Sequence, residues 1–231
     1  SAQDGRIVGV EALARWNHGV LGQVSPVQFI ALAEETGLVI QLGEIVLRQA
    51  CRDIKDFGRL NLAINVSAVQ LGEPDFGPRI LAVLAEEDFP PSRLELELTE
   101  TSVMNANETS LSHLATLRKA GVKISLDDFG TGYSSLSLLK DISVDSVKID
   151  RSFVQYVTEV NDTAAIVSAV SQLGNKMHLN VIAEGVENQL QKSFLVSAGC
   201  SHLQGYLFSR PVPVDVLNTL LNNEMNMLAS T

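Results

Sequence analysis

The sequence lacks the features of secreted and membrane-spanning proteins. Of its 231 residues only two are cysteines, Cys51 and Cys200, which lie far apart and form no Cys-x-x-Cys motif. We interpret both as reduced thiols, because small secreted domains are usually held together by several disulfides. No apolar run reaches the ~18 residues that a membrane span needs, and no signal-peptide pattern opens the chain. We therefore expect a cytoplasmic domain without direct membrane insertion, although its parent protein could be membrane-anchored.

Basic residues are also scarce. The sequence has 17 Lys and Arg against 27 Asp and Glu, which gives a formal net charge of −10. Binding to nucleic acid depends on clustered Lys and Arg that neutralise phosphates. The composition therefore predicts no binding to DNA or RNA polymers. A small phosphate ligand could still bind, most easily if metal ions mediate the contact.

Strand and helix patterns alternate along the chain, and its length allows one large domain with a hydrophobic core. The predicted strands are 6–13, 61–67, 93–100, 122–128, 145–150, 179–186 and 202–208. The predicted helices are 26–37, 39–57, 76–87, 107–120, 134–140, 160–177, 188–198 and 214–228. This alternation is typical of α/β proteins built from parallel βαβ units.

The count of about seven strands leaves two architectures open. Seven strands fit an open doubly wound sheet, or an eight-stranded barrel that lacks one strand. Asp4-Gly5 comes just before the first predicted strand and is a hairpin-turn dipeptide, which requires a partner strand upstream. We therefore favour a TIM-like (β/α)8 barrel with one antiparallel strand, and we expect that this first strand is missing from the chain.

Each predicted strand places one functional side chain near its C-terminal end. The period-2 alternation of strands turns these side chains to the same inner face: Glu11, Asn65, Glu97, Asp127, Lys148, Glu184 and Gln204. Active sites of parallel barrels lie at this end of the strands. Strict alternation would put Asp128 on the opposite face. We therefore expect the fourth strand to end at Asp127 and to bend there.

The residue types predict a metal site. Hard oxygen ligands, which suit Mg²⁺ or Mn²⁺ better than zinc, lie near the ends of the first four strands: Glu11, Asn65, Glu97 and Asp127. Asp128, with Glu184 as a further candidate, would allow a second metal ion bridged by Asp127. Two such ions form the usual clamp for displacement at phosphorus. Lys148 could orient or deprotonate a water molecule, or neutralise a phosphate.

Seven motifs closely resemble, in order, those of the EAL family of cyclic-di-GMP phosphodiesterases. They are EALARW (11–16), NVS (65–67), ELTE (97–100), DDFGTGYSSL (127–136), KIDRSF (148–153), AEGVE (183–187) and QGYLFSRP (204–211). The resemblance runs from about residue 6 to 213. It implies a TIM-like barrel with one antiparallel strand that hydrolyses cyclic-di-GMP to linear pGpG with Mg²⁺ or Mn²⁺, two ions per site. It also implies that residues 1–231 are a single domain of a larger signalling protein with sensory or GGDEF domains.

The resemblance further implies a role for each matching residue. Ligands of the first metal ion would be Glu11, Asn65, Glu97 and Asp127, and ligands of the second would be Asp127 and Asp128. The attacking water would be managed by Lys148 and Glu184, the latter being also a candidate metal contact. A phosphate would be bound by Arg15, and further substrate or supporting positions would be Asp150, Glu187 and Gln204. Glu100 resembles the glutamate that holds the 127–136 loop, which family members use to form homodimers.

One feature of the family is missing from this chain. Family members usually carry a strand with a Tyr-Gln-Pro-like motif before the first strand seen here. The absence of that motif agrees with the interpretation of Asp4-Gly5 as part of a hairpin turn. It leaves open whether disordered residues are omitted or the chain is truncated.

Two other functions compete with the phosphodiesterase. The first is a catalytically inactive receptor module that binds cyclic-di-GMP without cleaving it. A receptor can lose metal ligands without cost, whereas this sequence keeps every candidate ligand, which favours the enzyme. The second is a metal-dependent lyase or aldolase barrel, which fits the ligand types but not the set of motifs.

Overall fold

The computed structural model describes residues 1–130 and 142–228, with side chains described up to residue 221. In these residues the strands are β1 (Gly9–Ala12), β2 (Trp16–His18), β3 (Gly22–Val24), β4 (Asn61–Val66), β5 (Leu94–Thr99), β6 (Lys123–Phe129), β7 (Ser146–Ile149), β8 (Asn180–Ala183) and β9 (His202–Leu203). The predicted strands are therefore present, most with shorter ends. The last one is reduced to two residues.

Seven strands form one sheet in the order β1-β4-β5-β6-β7-β8-β9. The pairs β1/β4, β4/β5, β7/β8 and β8/β9 are parallel, as expected for βαβ units. The strands β2 and β3 form a separate antiparallel hairpin, which the sequence patterns did not predict because each strand has only three residues. The antiparallel strand expected before β1 stays a prediction.

The helices fill the connections between the strands. They are α1 (Pro26–Glu35), α2 (Val39–Ile54), α3 (Ala68–Leu71), α4 (Phe76–Glu86), α5 (Glu100–Met104), α6 (Glu108–Ala120), α7 (Arg151–Val154), α8 (Asn161–Lys176), α9 (Gln189–Ala198) and α10 (Val214–Leu228). The predictions missed only the short α3, α5 and α7 among these. The predicted helix over 134–140 lies outside the described residues. Within the described part of the chain, no helix has the length and apolar character needed to cross a membrane.

The chain divides into two compact units. The described part of the first comprises residues 9–125 and 142–143, and that of the second comprises 1–8, 126–130 and 144–228. In the first unit, α2 packs on β4, and α4 packs on both α2 and α6. Leu94, Leu96 and Leu98 of β5 are fully buried, because alternate residues of a strand share one face.

Arg93 joins several backbone segments of the first unit. Its guanidinium donates hydrogen bonds of 2.7–2.9 Å to the carbonyl oxygens of Ile54, Lys55, Phe57 and Leu60. The last carbonyl groups of a helix have no partner within the helix. Arg93 satisfies two of them at the end of α2 and so fixes the turn that leads into β4.

The core of the second unit lies between α8 and the strands β7 and β8. Val147 and Val181 are fully buried there. Gly174 of α8 faces Val181, and a Cβ atom at this glycine would lie only 2.5 Å from Val181 Cγ2. The glycine therefore allows α8 to approach the sheet closely, which fixes β7 and β8 and the residues at their ends.

Candidate functional site

In the first unit, polar side chains gather at the C-terminal ends of β1, β4 and β5. Asn65 Nδ2 donates a hydrogen bond of 2.6 Å to Glu11 Oε1. Glu11 is the register partner of Ala63, so Asn65 lies two residues further along β4. Asn65 is itself the register partner of Glu97 on β5, and Glu97 is only 3% exposed. The structure thus brings Glu11 and Asn65 together and places Glu97 on the adjacent strand.

The donor atoms of this first group fit a hard cation by type. They are carboxylate and amide oxygens, which Mg²⁺ and Mn²⁺ prefer over sulfur or imidazole ligands. Asn65 turns its amino group toward Glu11 and retains its carbonyl oxygen as a potential ligand. In residues 1–130 and 142–221, no three His, Cys, Asp or Glu side chains come close enough together to hold one ion. The fit to a metal therefore rests on donor chemistry.

The two adjacent aspartates lie at a bend in β6. The strand continues to Phe129, so the predicted end at Asp127 is wrong. The expected bend is present at Asp128, whose φ of +55° is in the left-handed region. Asp tolerates this conformation better than most residues. Asp128 N also donates a hydrogen bond of 3.0 Å to Asp127 Oδ1, which stabilises the bend.

The electrostatic environment of Asp128 disfavours its charged form. Burial raises the pKa of this carboxyl group, and the negative charges of Asp127 and Asp150 raise it further. Lys148 has the opposite effect and lowers this pKa. A divalent cation would act in the same direction as Lys148, because an opposite charge favours the carboxylate. The environment of Asp128 therefore suits a cation-binding position.

Lys148 is a buried cation between two carboxylates. It is 1% exposed, and its Nζ lies 2.6 Å from Glu184 Oε1 and 3.6 Å from Asp127 Oδ1. A charge that is removed from water needs such partners to remain stable. Lys148 is the register partner of Ile182, so Glu184 lies two residues further along the chain. The structure thus joins three predicted site residues in the second unit.

Two predicted substrate positions have structural contacts in the second unit. Asp150 is the N-cap of α7, and its Oδ1 accepts a hydrogen bond of 2.9 Å from Ser152 N. Glu187 Oε1 lies 3.1 Å from Arg151 Nη2 in an ion pair at the surface. Both acidic residues therefore help to shape the segments that follow β7 and β8.

Arg15 and Gln204 are two further exposed candidates for substrate contact. Arg15 follows β1, and its Nη1 donates a hydrogen bond of 2.9 Å to the carbonyl oxygen of Ala14. Gln204 follows β9, and its backbone N–H donates a hydrogen bond of 2.8 Å to the carbonyl oxygen of Ala183. Their exposure leaves both side chains accessible to a ligand.

Glu100 is a buried carboxylate at the start of α5. It is 4% exposed, and neither of its carboxylate oxygens has a hydrogen-bond partner within the described residues. Residues 131–136 of the loop that it was predicted to hold lie outside those residues. The loop-holding role of Glu100 and the homodimer surface at 127–136 both stay predictions.

A helix cap follows three of the predicted site residues at the same spacing. The pairs are Asn65 and Ser67, Glu97 and Thr99, and Lys148 and Asp150. The second residue of each pair is the N-cap of the next helix, and its side chain accepts a hydrogen bond from a backbone N–H of the first turn. Such caps satisfy N–H groups that have no partner within the helix. Each of these three predicted site residues is thus two residues away from a fixed helix start.

The sequence interpretation missed two residues that hold the turn after β8. Arg151 contacts this turn through Glu187, and Gln191 accepts hydrogen bonds from its backbone. The Asn188-x-x-Gln191 spacing is a capping-box pattern and could have indicated Gln191. Arg151 lies within the KIDRSF motif, but nothing in the sequence shows that it contacts the turn after β8.

The EAL domain family model matches residues 1–211, and the chain therefore belongs to the EAL domain family. It is 44% identical over 221 residues to the bifunctional diguanylate cyclase/cyclic di-GMP phosphodiesterase MucR of Pseudomonas aeruginosa. This alignment covers 94% of this chain and 32% of MucR. It is 40% identical over 223 residues to the cyclic di-GMP phosphodiesterase NbdA of the same organism. That alignment covers 94% of this chain and 28% of NbdA. The chain thus spans about a third of the length of these relatives.

Solved structures show the same fold. The MucR phosphodiesterase in complex with c-di-GMP matches with a TM-score of 0.87 at 44% identity, over 92% of this chain and 88% of that one. The calcium/cy-diGMP complex of Klebsiella pneumoniae BlrP1 matches with a TM-score of 0.79 at 32% identity, over 91% and 53% of the two chains. The predicted class, a TIM-like α/β barrel fold with a parallel sheet, is therefore confirmed.

Proposed function

We propose that this chain hydrolyses one phosphodiester bond of cyclic-di-GMP and releases linear pGpG. The observation that carries the proposal is Lys148, a buried cation that lies 2.6 Å from Glu184 and 3.6 Å from Asp127. The 44% identity to MucR, a bifunctional enzyme whose name includes cyclic di-GMP phosphodiesterase, supports the same reaction. The reaction would serve second-messenger signalling in bacteria.

The biological setting is part of the proposal. Residues 1–231 would be a single phosphodiesterase domain of a longer cytoplasmic signalling protein with sensory or GGDEF domains. The greater length of MucR and NbdA supports this arrangement. The domain would form homodimers through the 127–136 loop region and would bind no DNA or RNA polymer.

Mg²⁺ or Mn²⁺ would be the cofactor. We assign the first ion to Glu11, Asn65, Glu97 and Asp127, and the second to Asp127 and Asp128. When bound, two such ions polarise the phosphate and make water a better nucleophile. The raised pKa of Asp128 supports a cation beside it, because repulsion from Asp127 is then compensated.

The side chains of the second unit would manage the proton and the charge. Glu184 can accept the proton of the attacking water, and Lys148 can hold that water or balance the charge that develops on the phosphate. The 2.6 Å contact between them keeps the carboxylate beside the ammonium. Arg15 would bind a phosphate of the substrate. Substrate contacts or support for them would come from Asp150, Glu187 and Gln204.

The deciding experiment is to incubate the protein with cyclic-di-GMP and Mg²⁺ and to measure pGpG. We expect turnover with Mg²⁺ or Mn²⁺ and none after exhaustive chelation. Ca²⁺ should bind but support little turnover, because its larger and more flexible shell positions the water poorly. The BlrP1 complex with calcium and cy-diGMP supports calcium binding. Full activity with Ca²⁺ alone or after chelation would refute the metal mechanism, and binding without pGpG would indicate the receptor function.

A further inference from the structure

The turn that follows β8 begins with Glu184, and backbone bonds fix its ends. Glu184 N donates to the carbonyl oxygen of Ile149 at 3.1 Å, and Val186 N donates to that of Gln204 at 3.0 Å. Between them Gly185 has a φ of +69°, a left-handed conformation that glycine adopts without strain. The turn therefore has a conformation that depends on a glycine at position 185, because few other residues adopt it.

The side chain of Arg151 lies directly on this turn. A Cβ atom added to Gly185 would be 2.4 Å from Cγ of Arg151 and 2.8 Å from its Cβ, so the glycine leaves space only for the arginine stem. Arg151 Nη2 then reaches Glu187 Oε1 at 3.1 Å. One side chain thus covers the turn from its second residue to its fourth.

Gln191 holds the far end of the same turn. Its Oε1 accepts hydrogen bonds from the backbone N–H groups of Glu187, at 2.7 Å, and Asn188, at 3.2 Å. Its Nε2 donates to the carbonyl oxygen of Gln155 at 3.3 Å. Gln155 is the C-cap of α7, and Arg151 is its first residue. The short helix α7 therefore holds the turn at both ends.

Helix α7 also begins three residues after Lys148, and Asp150 fixes its start. The distance between Lys148 Nζ and Glu184 Oε1 thus depends on how the turn sits against α7. We propose that Arg151 is a positioning residue that holds Glu184 against Lys148. This inference rests on the proposed phosphodiesterase function. An exposed ion pair alone contributes little, so the packing of the arginine stem on Gly185 is an essential part of the role.

The kinetic test compares Arg151→Ala with wild type on cyclic-di-GMP and Mg²⁺. We expect kcat to fall about 5- to 10-fold, because a small displacement of Glu184 affects the reacting geometry. KM should stay within about twofold, because the proposed role of Arg151 is to position Glu184 rather than to bind substrate. Arg151→Lys keeps the stem and the charge and should restore most of kcat. The matched control is Arg6→Ala, which removes an arginine of similar exposure that pairs with Asp4 at 3.3 Å.

A second readout needs neither metal nor substrate. Amide hydrogen exchange of residues 184–188 should become about fivefold faster or more in Arg151→Ala, because the turn opens more readily. Exchange in β4 should be unchanged, as should both regions in Arg6→Ala. Unchanged exchange at 184–188, or a higher KM with normal kcat, would overturn the proposal. If wild type forms no pGpG, the proposed function fails, while the exchange rates still decide whether Arg151 holds the turn.

Discussion

The strand pairs β1/β4 and β7/β8 have the same backbone geometry but carry side chains of different charge at their ends. In each pair, a side chain near a strand end contacts the residue two positions beyond its register partner. Glu11 faces Ala63 in register and contacts Asn65, whereas Lys148 faces Ile182 and contacts Glu184. Both contacts are 2.6 Å long. The backbone therefore fixes where the polar atoms meet, and the residue types decide what they can bind.

The difference between the pairs lies in the source of positive charge. Asn65 is neutral and exposed, so its contact leaves the negative charge of Glu11 uncompensated by that partner. Lys148 is fully buried and supplies a cation of its own. The second pair therefore carries its own positive charge, whereas in the first pair the proposed metal ion would supply it. The following variants test that distinction.

The largest effect is expected from the proposed metal ligands. Asn65→Ala and Asp127→Ala should each abolish turnover, a loss of ~10³-fold or more, because metal stabilisation of transition-state charge is worth several kcal/mol. Calorimetry should show weaker Mg²⁺ binding in both variants. Asn180→Ala, at the exposed start of β8, is a control that should behave like wild type. Normal Mg²⁺ affinity in both test variants would mean that the wrong residues were assigned to the metal.

Lys148→Ala should separate chemistry from binding. Turnover should fall by ~10²-fold or more, as for a lost acid–base group. Cyclic-di-GMP affinity should stay within about tenfold of wild type, a shift of ~1.4 kcal/mol, because the role of Lys148 grows toward the transition state. The measurements are kcat and Kd, with the exposed Lys119→Ala as control. Equal losses in both would make Lys148 a phosphate clamp and leave Glu184 as the main candidate for activating water.

Glu100→Gln should have an intermediate effect. The change keeps the shape of a buried side chain but removes its charge, so the fold should persist while the loop after Asp128 is held less firmly. We expect activity at limiting Mg²⁺ to fall roughly tenfold, the lower range for residues that support metal ligands. Glu108→Gln, an exposed change in the first turn of α6, is the control. Unchanged activity at limiting Mg²⁺ would exclude the loop-holding role.

The smallest effect concerns stability in metal-free buffer. The folded-state pKa of Asp128 is raised above its ordinary value of 3.8. Its contribution to stability is therefore fully present below the unfolded pKa and is lost as the pH rises through the folded pKa. Asp128→Asn should raise Tm at pH 7 by about 2 °C, a small shift for a domain of this size. Asparagine also tolerates the positive φ at this position.

This Asp128→Asn gain should disappear as the pH falls below about 4, where the aspartate is protonated in both states. Thermal melts of both proteins across this pH range provide the check. A gain of the same size at low pH would mean that it comes from the backbone rather than from the charge.

The sequence predicted the strands well, and alternation along them identified the side chains at their ends. It did not predict the left-handed conformation of Asp128, because local tolerance for a positive φ does not say where the chain uses it. It assigned Lys148 and Glu184 to the same water molecule but did not predict that the two side chains form an ion pair. That contact depends on the register of β7 against β8, which only the fold determines. The hairpin of β2 and β3 was missed because three-residue strands carry too little periodicity.

The helix caps at Ser67, Thr99 and Asp150 imply that the scaffold and the chemistry can change separately. Each cap bonds to backbone, two residues away from the side chain proposed to act. We therefore expect a substitution at Asn65 to alter a proposed ligand but to leave the cap and the following helix intact. Single substitutions at the proposed ligands can then convert a catalytic domain of this fold into a receptor without unfolding it. The caps, rather than the ligands, are the residues that such a change must preserve.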